Sequence, residues 1–224
     1  MSSSPSNTAP STDYHDYVFQ NGRLIGAFEE MYRHSKDVPW HQDKDAERLD
    51  CSLAVEILRL NAIPGKLLEV GCGLGYFGKL IHSALKPSGY TGTDISPTAV
   101  VKAKALFPDL DFAVMDLTKP LDGQGWEGRT YEMVVIRATF WYLIRHLDQA
   151  VKNLTDLTAP GGVLFISQNF PPLDSNFVGK DVLPNPASLL ALFTPRFQVR
   201  MTNYFEDRRD GKPNDNWMMF AAVK

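Results

Sequence analysis

Alternating glycines are the residues of this chain with the clearest chemical use. Gly71, Gly73 and Gly75 lie in the run from Leu67 to Gly78, where an apolar strand is predicted to break into a tight turn and then a helix. Because glycine has no Cβ, its backbone can come within contact distance of a ligand. The first N–H groups of the following helix attract polar or anionic groups. The run therefore predicts a site for a nucleotide-like molecule.

Two ligand classes fit the spacing of these glycines. A dinucleotide is typically bound by Gly-x-Gly-x-x-Gly, which Gly73, Gly75 and Gly78 supply. S-adenosylmethionine is typically bound by an acidic residue followed by Gly-x-Gly-x-Gly, a pattern that Glu69 begins and Gly71 continues. The glycine motif alone leaves both classes open, so the surrounding elements must decide.

Composition limits the fold and the partners. The chain has 224 residues and a net charge of -3, which suits one α/β domain and gives no excess of Lys and Arg for nucleic acid. No apolar run reaches the ~20 residues of a membrane span, and the N-terminus lacks a signal-peptide pattern. Cys51 and Cys72 show no metal or redox spacing. We expect a cytoplasmic protein without a metal site, a nucleic-acid partner or membrane contact; the sequence does not predict the oligomeric state.

Three regions differ in composition. Residues 1–12 are rich in Ser, Pro and Thr, which predicts a disordered tail. Residues 13–44 are aromatic, and we expect them to form a lid that contains a short helix within 24–32. Residues 45–224 would form the main domain, which begins with an amphipathic helix over 45–61 whose apolar face is formed by Leu49, Leu53, Ile57 and Leu60.

The main domain then alternates strands and helices, which predicts a mainly parallel sheet covered on both faces. The predicted strands are Lys66–Val70, Tyr90–Thr93, Phe112–Met115, Tyr131–Ala138 and Val163–Ser167. Helices are expected to begin at Ser96-Pro97 and at Asn185-Pro186, since a capping residue followed by proline marks a helix start. A further helix is expected to begin near Leu147, where apolar residues recur at helical spacing. Two apolar strands on either side of a turn at Asp210-Gly211 predict a final antiparallel pair.

This order of elements resembles the class I S-adenosylmethionine-dependent methyltransferases. The run Glu69 to Gly75 looks like the first motif of that family, Gly92 to Ser96 like the second, Met115 to Leu117 like the third, and Ala159 to Gly162 like the turn before the fifth strand. The resemblance covers roughly residues 45–224. It implies a Rossmann-like, mostly parallel seven-stranded sheet with an antiparallel C-terminal hairpin, and S-adenosylmethionine as cofactor.

Two alternatives remain beside this interpretation. An NAD-dependent oxidoreductase would have its glycine motif near the start of its domain and a separate substrate domain behind it. This chain shows neither feature, so the oxidoreductase is the minority interpretation. A noncatalytic S-adenosylmethionine-binding regulatory protein would use the same cofactor residues. The aromatic N-terminal region favours an enzyme over a mere binder.

The ends of the second and third strands carry the residues expected to bind the nucleoside. Asp94 lies about 20 residues beyond the glycine turn, where a carboxylate can accept hydrogen bonds from both ribose hydroxyls. The resemblance implies that Ile95 packs on the adenine face and that Asp116 accepts a hydrogen bond from the adenine amino group, with the Leu117 backbone nearby.

Four further residues are assigned to the cofactor site. Glu69 is expected to brace the glycine turn or to contact the methionine amino group, and Cys72 occupies a variable position of the motif. Arg137 stands where family members contact the methionine end through the backbone; its side chain could instead bind an anionic acceptor or pair with a surface acid. Trp40 is similar to the Pro-Trp of the nodulation N-methyltransferase group, and would contact the sulfonium through its ring or anchor the lid.

The resemblance implies methyl transfer to an oxygen or nitrogen atom of a small molecule, such as a sugar, a phosphorylated metabolite or a natural-product intermediate. In-line displacement from a sulfonium depends mainly on positioning and desolvation. A hydroxyl or ammonium acceptor would benefit from a general base. The candidates are His41, Tyr142 and His146.

Overall fold

The computed structural model describes residues 10–209 and 212–224. Its helices are α1 (His15–Val18), α2 (Phe28–His34), α3 (Leu49–Asn61), α4 (Tyr76–Leu85), α5 (Pro97–Leu106), α6 (Phe140–Leu143), α7 (Leu147–Leu157) and α8 (Pro186–Ala191). Its strands are β1 (Phe19–Gln20), β2 (Arg23–Leu24), β3 (Lys66–Val70), β4 (Gly89–Asp94), β5 (Asp111–Val114), β6 (Tyr131–Arg137), β7 (Thr158–Phe170), β8 (Gln198–Arg209) and β9 (Lys212–Val223). A 3₁₀ segment, Pro39–Glu47, lies between α2 and α3. Most of the predicted tail and the predicted turn at Asp210-Gly211 lie outside the described residues.

Strands β3 to β9 form one seven-stranded sheet in the order β5-β4-β3-β6-β7-β9-β8. The five strands β3 to β7 pair in parallel, whereas β9 runs antiparallel to both β7 and β8. The predicted fold class is therefore confirmed. Because β9 lies between β7 and β8, the sheet differs from the all-parallel dinucleotide-binding order at one edge.

Both faces of the sheet are covered, as predicted, and the alternation of side chains along β6 shows why. Val134 and Ile136 belong to one apolar cluster, which α7 and α8 complete, whereas Met133 and Val135 belong to a second cluster on the other face. Helices α3, α4 and α5 cover that second face. Since successive strand residues point to opposite faces, an apolar run buried on both sides needs no polar alternation. No described helix is long and apolar enough to cross a lipid bilayer.

Residues 13–44, here called the N-terminal segment, lie over the carboxyl ends of the strands. Buried Tyr14, Val18, Met31 and Tyr32 form a third apolar cluster with Leu74 and Ala99. The short helix expected within 24–32 is shifted: α2 begins at Phe28 and ends at His34, and Leu24 belongs to β2.

The start and the buried face of α3 differ from prediction. The helix begins at Leu49, because residues 39–47 form the 3₁₀ segment, and Leu49 and Leu60 of the predicted apolar face are 63% and 65% exposed. Buried instead are Cys51, Ala54 and the acidic Asp50. The helix is oriented so that the Asp50 carboxylate pairs with the guanidinium of Arg137, the last residue of β6.

Strand β7 is longer than predicted at both ends. The predicted turn Pro160-Gly161-Gly162 lies inside the strand, where the register shifts between the pairs of Tyr131 with Thr158 and Met133 with Val163. Gly161 has φ 72°, a conformation that glycine adopts without strain. The segment is therefore a bulge within a strand, which sequence signals do not distinguish from a turn.

Candidate functional site

A cavity of about 480 Å³ opens at the carboxyl ends of β3, β4 and β6, beneath the N-terminal segment. Open α/β sheets bind ligands at this edge, and the volume falls in the range of small-molecule sites. The predicted site residues that line it are Trp40, Gly71, Asp94, Ile95, Asp116, Leu117, Arg137 and Tyr142. The predicted residues outside its lining are His41, Glu69, Cys72, Gly73, Gly75 and His146.

The glycine turn brings backbone rather than side chains to the cavity. Gly71 has φ 73°, and its N–H donates to the Thr93 carbonyl at 2.7 Å. A Cβ on Gly71 would lie 2.6 Å from Thr139 Oγ1, so any larger residue would push into the cavity wall. This position therefore needs glycine for both its conformation and its contact.

Gly73 lies under the N-terminal segment rather than in the cavity lining. A Cβ there would lie 2.6 Å from Gln42 Oε1 and 2.7 Å from the Tyr32 hydroxyl. The Leu74 N–H donates to Gln42 Oε1 at 2.9 Å. Gln42 thus joins the segment to the glycine turn, a contact that sequence reasoning missed because the two residues are far apart in the chain.

Asp94 joins the glycine turn to the start of α5. Its Oδ2 accepts a hydrogen bond from the Gly73 N–H at 3.0 Å, and its Oδ1 accepts one from the Ser96 N–H at 2.9 Å. Burial raises the pKa of Asp94 to about 6, against the opposing effect of these backbone hydrogen bonds. Because Asp94 also lines the cavity, its ionised carboxylate can accept further hydrogen bonds from a ligand there.

Asp116 presents an ionised carboxylate at the end of β5. Burial acts to raise its pKa, but hydrogen bonds from Thr118 and the ion pair with Lys119 lower it below its ordinary value. Thr118 Oγ1 donates to Oδ1 at 2.6 Å, and Lys119 Nζ lies 2.9 Å from Oδ2. Ile95 and Leu117 also line the cavity, and Ile95 is 44% exposed.

Glu69 is buried behind the glycine turn. The Tyr90 hydroxyl donates to its Oε2 at 2.5 Å, and a Cβ on Gly78 would lie 2.6 Å from the same oxygen. Burial raises the pKa of Glu69 to about 8. The geometry thus favours bracing over ligand contact. Cys72 is also buried, and its thiol lies 3.7 Å from the Gly73 carbonyl oxygen.

Arg137 belongs to a buried charge cluster at the floor of the cavity. One of its terminal nitrogens lies 2.5 Å from Asp50 Oδ2 and 3.7 Å from Asp45 Oδ1, and Arg48 Nε lies 3.0 Å from Asp50 Oδ1. The guanidinium of Arg137 also lies over the rings of Phe77 and Trp217, at 5.2 and 5.4 Å. Its partners are therefore buried acids rather than the surface acid considered from sequence.

The two acids of this charge cluster differ in proton affinity. Burial raises the pKa of Asp45 despite the attraction of Arg137. Burial also acts to raise the pKa of Asp50, but Arg137 and Arg48 hold that pKa below its ordinary value. Asp50 is thus a fixed counter-ion, whereas Asp45 is a cavity-lining carboxyl with a weaker partner.

Aromatic rings form the opposite part of the cavity. The Tyr142 ring lies 5.0 Å from Phe28, 5.8 Å from Trp40 and 6.3 Å from Phe19, between centroids. Further along the wall, the Trp141 ring lies 5.3 Å from Phe177. We call the part of the cavity lined by these rings, with Leu143, Asn169 and Val178, the aromatic chamber.

The three candidate bases have different surroundings. Tyr142 lies in the chamber, and burial raises its pKa, so its phenol stays protonated at neutral pH. His41 and His146 are exposed and do not line the cavity. His41 has φ 51°, which turns the chain so that neighbouring Trp40 enters the lining.

Glu29 is a second residue that sequence reasoning missed. It accepts hydrogen bonds from Ser96 Oγ at 2.5 Å, Thr98 Oγ1 at 2.6 Å and the Thr98 N–H at 3.0 Å. Burial acts to raise its pKa, but these hydrogen bonds lower it to about 2. The N-terminal segment is thus held at the first turn of α5, where free backbone N–H groups favour an anion.

The described residues contain no cluster of three or more His, Cys, Asp and Glu side chains with metal-binding geometry. The polar groups that line the cavity can instead hold a zwitterion at the floor and hydroxyl or amino donors at the strand ends. The rings can enclose an apolar molecule and exclude water.

Comparison with known families and proteins agrees with this geometry. Residues 68–164 match the family model described as a methyltransferase domain. The hybrid PKS-NRPS synthetase pydA of an Acremonium species is 33% identical over 109 residues, which is 46% of this chain and 3% of the synthetase. The chain therefore spans only a small part of the length of this curated relative.

Solved structures extend the likeness across most of the chain. The N-methyltransferase NodS from Bradyrhizobium japonicum, in complex with S-adenosyl-L-homocysteine, matches with a TM-score of 0.67 at 16% identity, covering 84% of this chain and 92% of NodS. The cyclase SpnF matches with a TM-score of 0.63 at 14% identity, covering 84% of each chain. At these identities the likeness concerns the fold.

Proposed function

We propose that this chain is a class I S-adenosylmethionine-dependent methyltransferase, which transfers the methyl group of that cofactor to an oxygen or nitrogen atom of a small molecule. One observation carries the proposal. A single cavity joins the glycine turn and two strand-end carboxylates to an aromatic chamber, so that two molecules could meet in one enclosed space.

The residues present fit the cofactor in size and charge. Gly71 lines the cavity without a side chain, so its backbone can come within contact distance of the cofactor's amino-acid portion. We assign the ribose hydroxyls to Asp94 and the adenine amino group to Asp116, with Ile95 against the ring. The amino-acid end is a zwitterion, and the floor offers both signs, with Asp45 for the ammonium and Arg48 for the carboxylate.

The bound cofactor supplies an electrophilic methyl group on a positively charged sulfur. The protein then has to position the acceptor and keep water away, since the leaving group is already good. Trp40 and Tyr142 form the wall that encloses the reacting atoms in our proposal, and the Tyr142 hydroxyl is available as a hydrogen-bond donor. We assign no base to His41 or His146, because both lie outside the cavity lining.

We propose that the N-terminal segment is a lid and that residues 45–224 are the methyltransferase domain. The contacts of Gln42 with Leu74 and of Glu29 with α5 support this division, since they hold the segment over the cavity. We also propose a cytoplasmic location and no nucleic-acid partner. Two buried free cysteines and the net charge of -3 support these assignments.

Titration calorimetry with S-adenosylmethionine, S-adenosylhomocysteine and NAD tests the cofactor. We expect both sulfur compounds to bind and NAD to show no heat of binding. Binding of NAD alone would overturn the proposal in favour of an oxidoreductase. A screen of radiolabelled S-adenosylmethionine against pooled metabolites then tests transfer, and tight cofactor binding without any labelled product would favour a noncatalytic regulatory protein.

A matched pair of glycine variants links binding to the cavity. Gly71→Ala places a methyl group 2.6 Å from Thr139 Oγ1, whereas Gly128→Ala has a similar φ, 70° against 73°, and nothing within 4 Å. Both variants carry the same backbone strain, of about 1 kcal/mol. We expect Gly71→Ala alone to weaken cofactor binding at least about tenfold, or 1.4 kcal/mol. Equal affinities of the two variants would place the cofactor elsewhere.

A further inference from the structure

The aromatic chamber has a chemistry of its own, distinct from that of the cofactor residues. Its walls are the rings of Phe19, Phe28, Trp40, Trp141, Tyr142 and Phe177. Aromatic faces bury apolar ligand surface and accept other rings at offset or edge geometry. A flat, apolar acceptor matches such walls.

Cationic side chains are not available to an anionic acceptor. Among the described residues, Arg48 and Arg137 are the cations that line the cavity. Both lie at the floor, where they pair with Asp50 and where Arg48 is assigned to the cofactor carboxylate, so neither serves the chamber. The Nε of Arg137 has no hydrogen-bond partner, but it is fully buried and the guanidinium lies over two aromatic rings, so no ligand atom reaches it. A phosphate or carboxylate in the chamber would lose its hydration without gaining a counter-ion, which is costly.

The lysines nearest to the cavity are also engaged elsewhere. Lys180 donates to the carbonyl oxygens of Leu173 and Ser175, and Lys119 pairs with Asp116 while its own side chain is 70% exposed. Neither lysine is part of the cavity lining. The Lys180 ammonium lies 5.5 Å from the centroid of the Phe177 ring, so that ring forms the wall between this charge and the chamber. Among the described residues, those that line the chamber are therefore uncharged.

The same chamber lacks a side chain suited to remove a proton near neutral pH. The acids that line the cavity, Asp45, Asp94 and Asp116, lie at the floor and the strand ends, where the proposed cofactor contacts engage them. The remaining titratable groups are Tyr32 and Tyr142, and burial raises the pKa of both. No described histidine lines the cavity.

Neutral hydrogen-bond donors do face the chamber. The Tyr142 phenol keeps its proton, and the Asn169 side chain has its Oδ1 engaged by Gln168 Nε2 at 3.1 Å, which leaves its Nδ2 as a donor. Donors without a neighbouring carboxylate suit an oxygen that gains negative charge rather than an ammonium that must lose a proton.

Resting on the proposed function, we propose that the acceptor is an uncharged, largely apolar molecule with a phenolic or enolic hydroxyl, which ionises without a base from the protein. The acceptor oxygen forms its bond to the methyl carbon as the carbon–sulfur bond breaks, and the sulfur keeps the electron pair. The hydroxyl proton passes to solvent. The positive sulfonium nearby stabilises this oxyanion together with the neutral donors of the chamber, and no positive charge is left for a second anionic group on the acceptor.

A set of matched acceptors tests this proposal. Naphthol provides the flat neutral phenol, decalol its saturated counterpart, and hydroxynaphthalenesulfonate its anionic counterpart, each assayed by mass spectrometry of the methylated product. We expect naphthol to be methylated, the sulfonate to have a kcat/KM at least about tenfold lower, and decalol to give no product. Equal use of the sulfonate or of decalol, or preference for glucose or glucose phosphate, would overturn the proposal.

The pH dependence across fluorinated naphthols tests the missing base. The profile of kcat/KM reports ionisations of the free enzyme and the free acceptor. We expect its inflection to move with the acceptor's own pKa from one compound to the next. An inflection that stays at one pH for every compound would assign the proton to a protein group and refute this part.

A charge introduced into the chamber provides a gain-of-function check. Val178 lines the chamber and is half-buried, so Val178→Lys offers the missing cation and Val178→Met controls for its length. We expect Val178→Lys alone to raise the preference for sulfonate over naphthol about tenfold. Calorimetry with S-adenosylmethionine is measured first: absent binding refutes the proposed function itself, whereas binding without methylation of any phenol refutes only the acceptor proposal.

Discussion

Glu29→Gln should loosen the N-terminal segment without touching the cavity. In the native protein, the Glu29 carboxylate accepts three hydrogen bonds from Ser96 and Thr98 at the start of α5. It also pairs with Arg33 at 2.9 Å. The amide of glutamine keeps one accepting oxygen, loses the charge, and turns its NH₂ group toward hydroxyl and N–H donors.

The size of the effect follows from these contacts. Hydrogen bonds to a charged group contribute about 1.5 to 3 kcal/mol each, and one of the accepting oxygens is retained in the variant. Because the Glu29 side chain is 32% exposed, solvent reduces the loss, and we expect about 2 kcal/mol. That difference opens the segment about thirtyfold more often, and raises the cofactor Kd by at most the same factor if only the closed form binds.

Hydrogen exchange of the amides in α2, together with calorimetry of cofactor binding, measures both effects. Glu30→Gln is the matched control, since Glu30 pairs with Arg33 and His34 on the same helix but makes no contact with α5. Exchange in α2 should accelerate in Glu29→Gln and stay near the native rate in Glu30→Gln. Equal exchange in both variants and the native protein would refute the role of Glu29 in holding the segment.

The pH dependence of this contact has a defined sign. The pKa of Glu29 is about 2 in the fold and 4.5 as its ordinary value, so the contact stabilises the fold fully above pH 4.5. That stabilisation is lost as the pH falls through the folded value. Exchange in α2 should therefore be insensitive to this group between pH 6 and 8.

Three further outcomes follow from the site. The pKa of Asp94 is about 6 and ribose hydroxyls donate to its ionised form, so cofactor affinity should rise about tenfold from pH 5 to pH 7, and Asp94→Asn should remove this dependence in calorimetry. Gly78→Ala should lower stability by about 2 kcal/mol in urea unfolding, because its methyl group would collide with the buried Tyr90 hydroxyl; an unchanged midpoint would contradict that packing. His41→Asn and His146→Gln should keep kcat within about twofold, since both residues lie outside the cavity lining; Asn tolerates the φ of 51°, and a large loss of kcat in either would restore a histidine base.

Local signals predicted much of the fold. The bounds of β3 matched, and the caps at Ser96 and Asn185 form the hydrogen bonds that their residue types favour. The bulge at Gly161 and the buried face of α3 were missed, because a Pro-Gly-Gly bulge resembles a turn and because Asp50 is buried by a partner far along the chain. Propensity describes a residue's own segment and carries no information on such partners.

The difference between local signals and tertiary partners also explains which site residues could be predicted. Gly71, Asp94 and Asp116 could be predicted because each lies at or just beyond the carboxyl end of a strand, so the parallel sheet alone brings them to one edge. Gln42 and Glu29 reach the site through the path of the N-terminal segment, which no periodicity specifies. The segment was predicted as a lid from its aromatic composition, but its polar anchors to the turn and to α5 depend on tertiary packing.

The carboxylic acids near the glycine turn differ in their protonation and therefore in their roles. At pH 7, Glu69 is mostly protonated, since its pKa is about 8, so it packs behind the turn as a neutral group beside Tyr90. Asp94 is mostly ionised and Asp116 fully so, because hydrogen-bond donors offset their burial to different degrees. A sulfonium in the cavity therefore meets the ionised Asp94 and Asp116 at the strand ends, whereas the neutral Glu69 adds no charge behind the turn. Among the described residues, those that line the aromatic chamber carry no charge of either sign. Selectivity for a neutral acceptor therefore follows from the absence of charge in the chamber lining as much as from its aromatic rings.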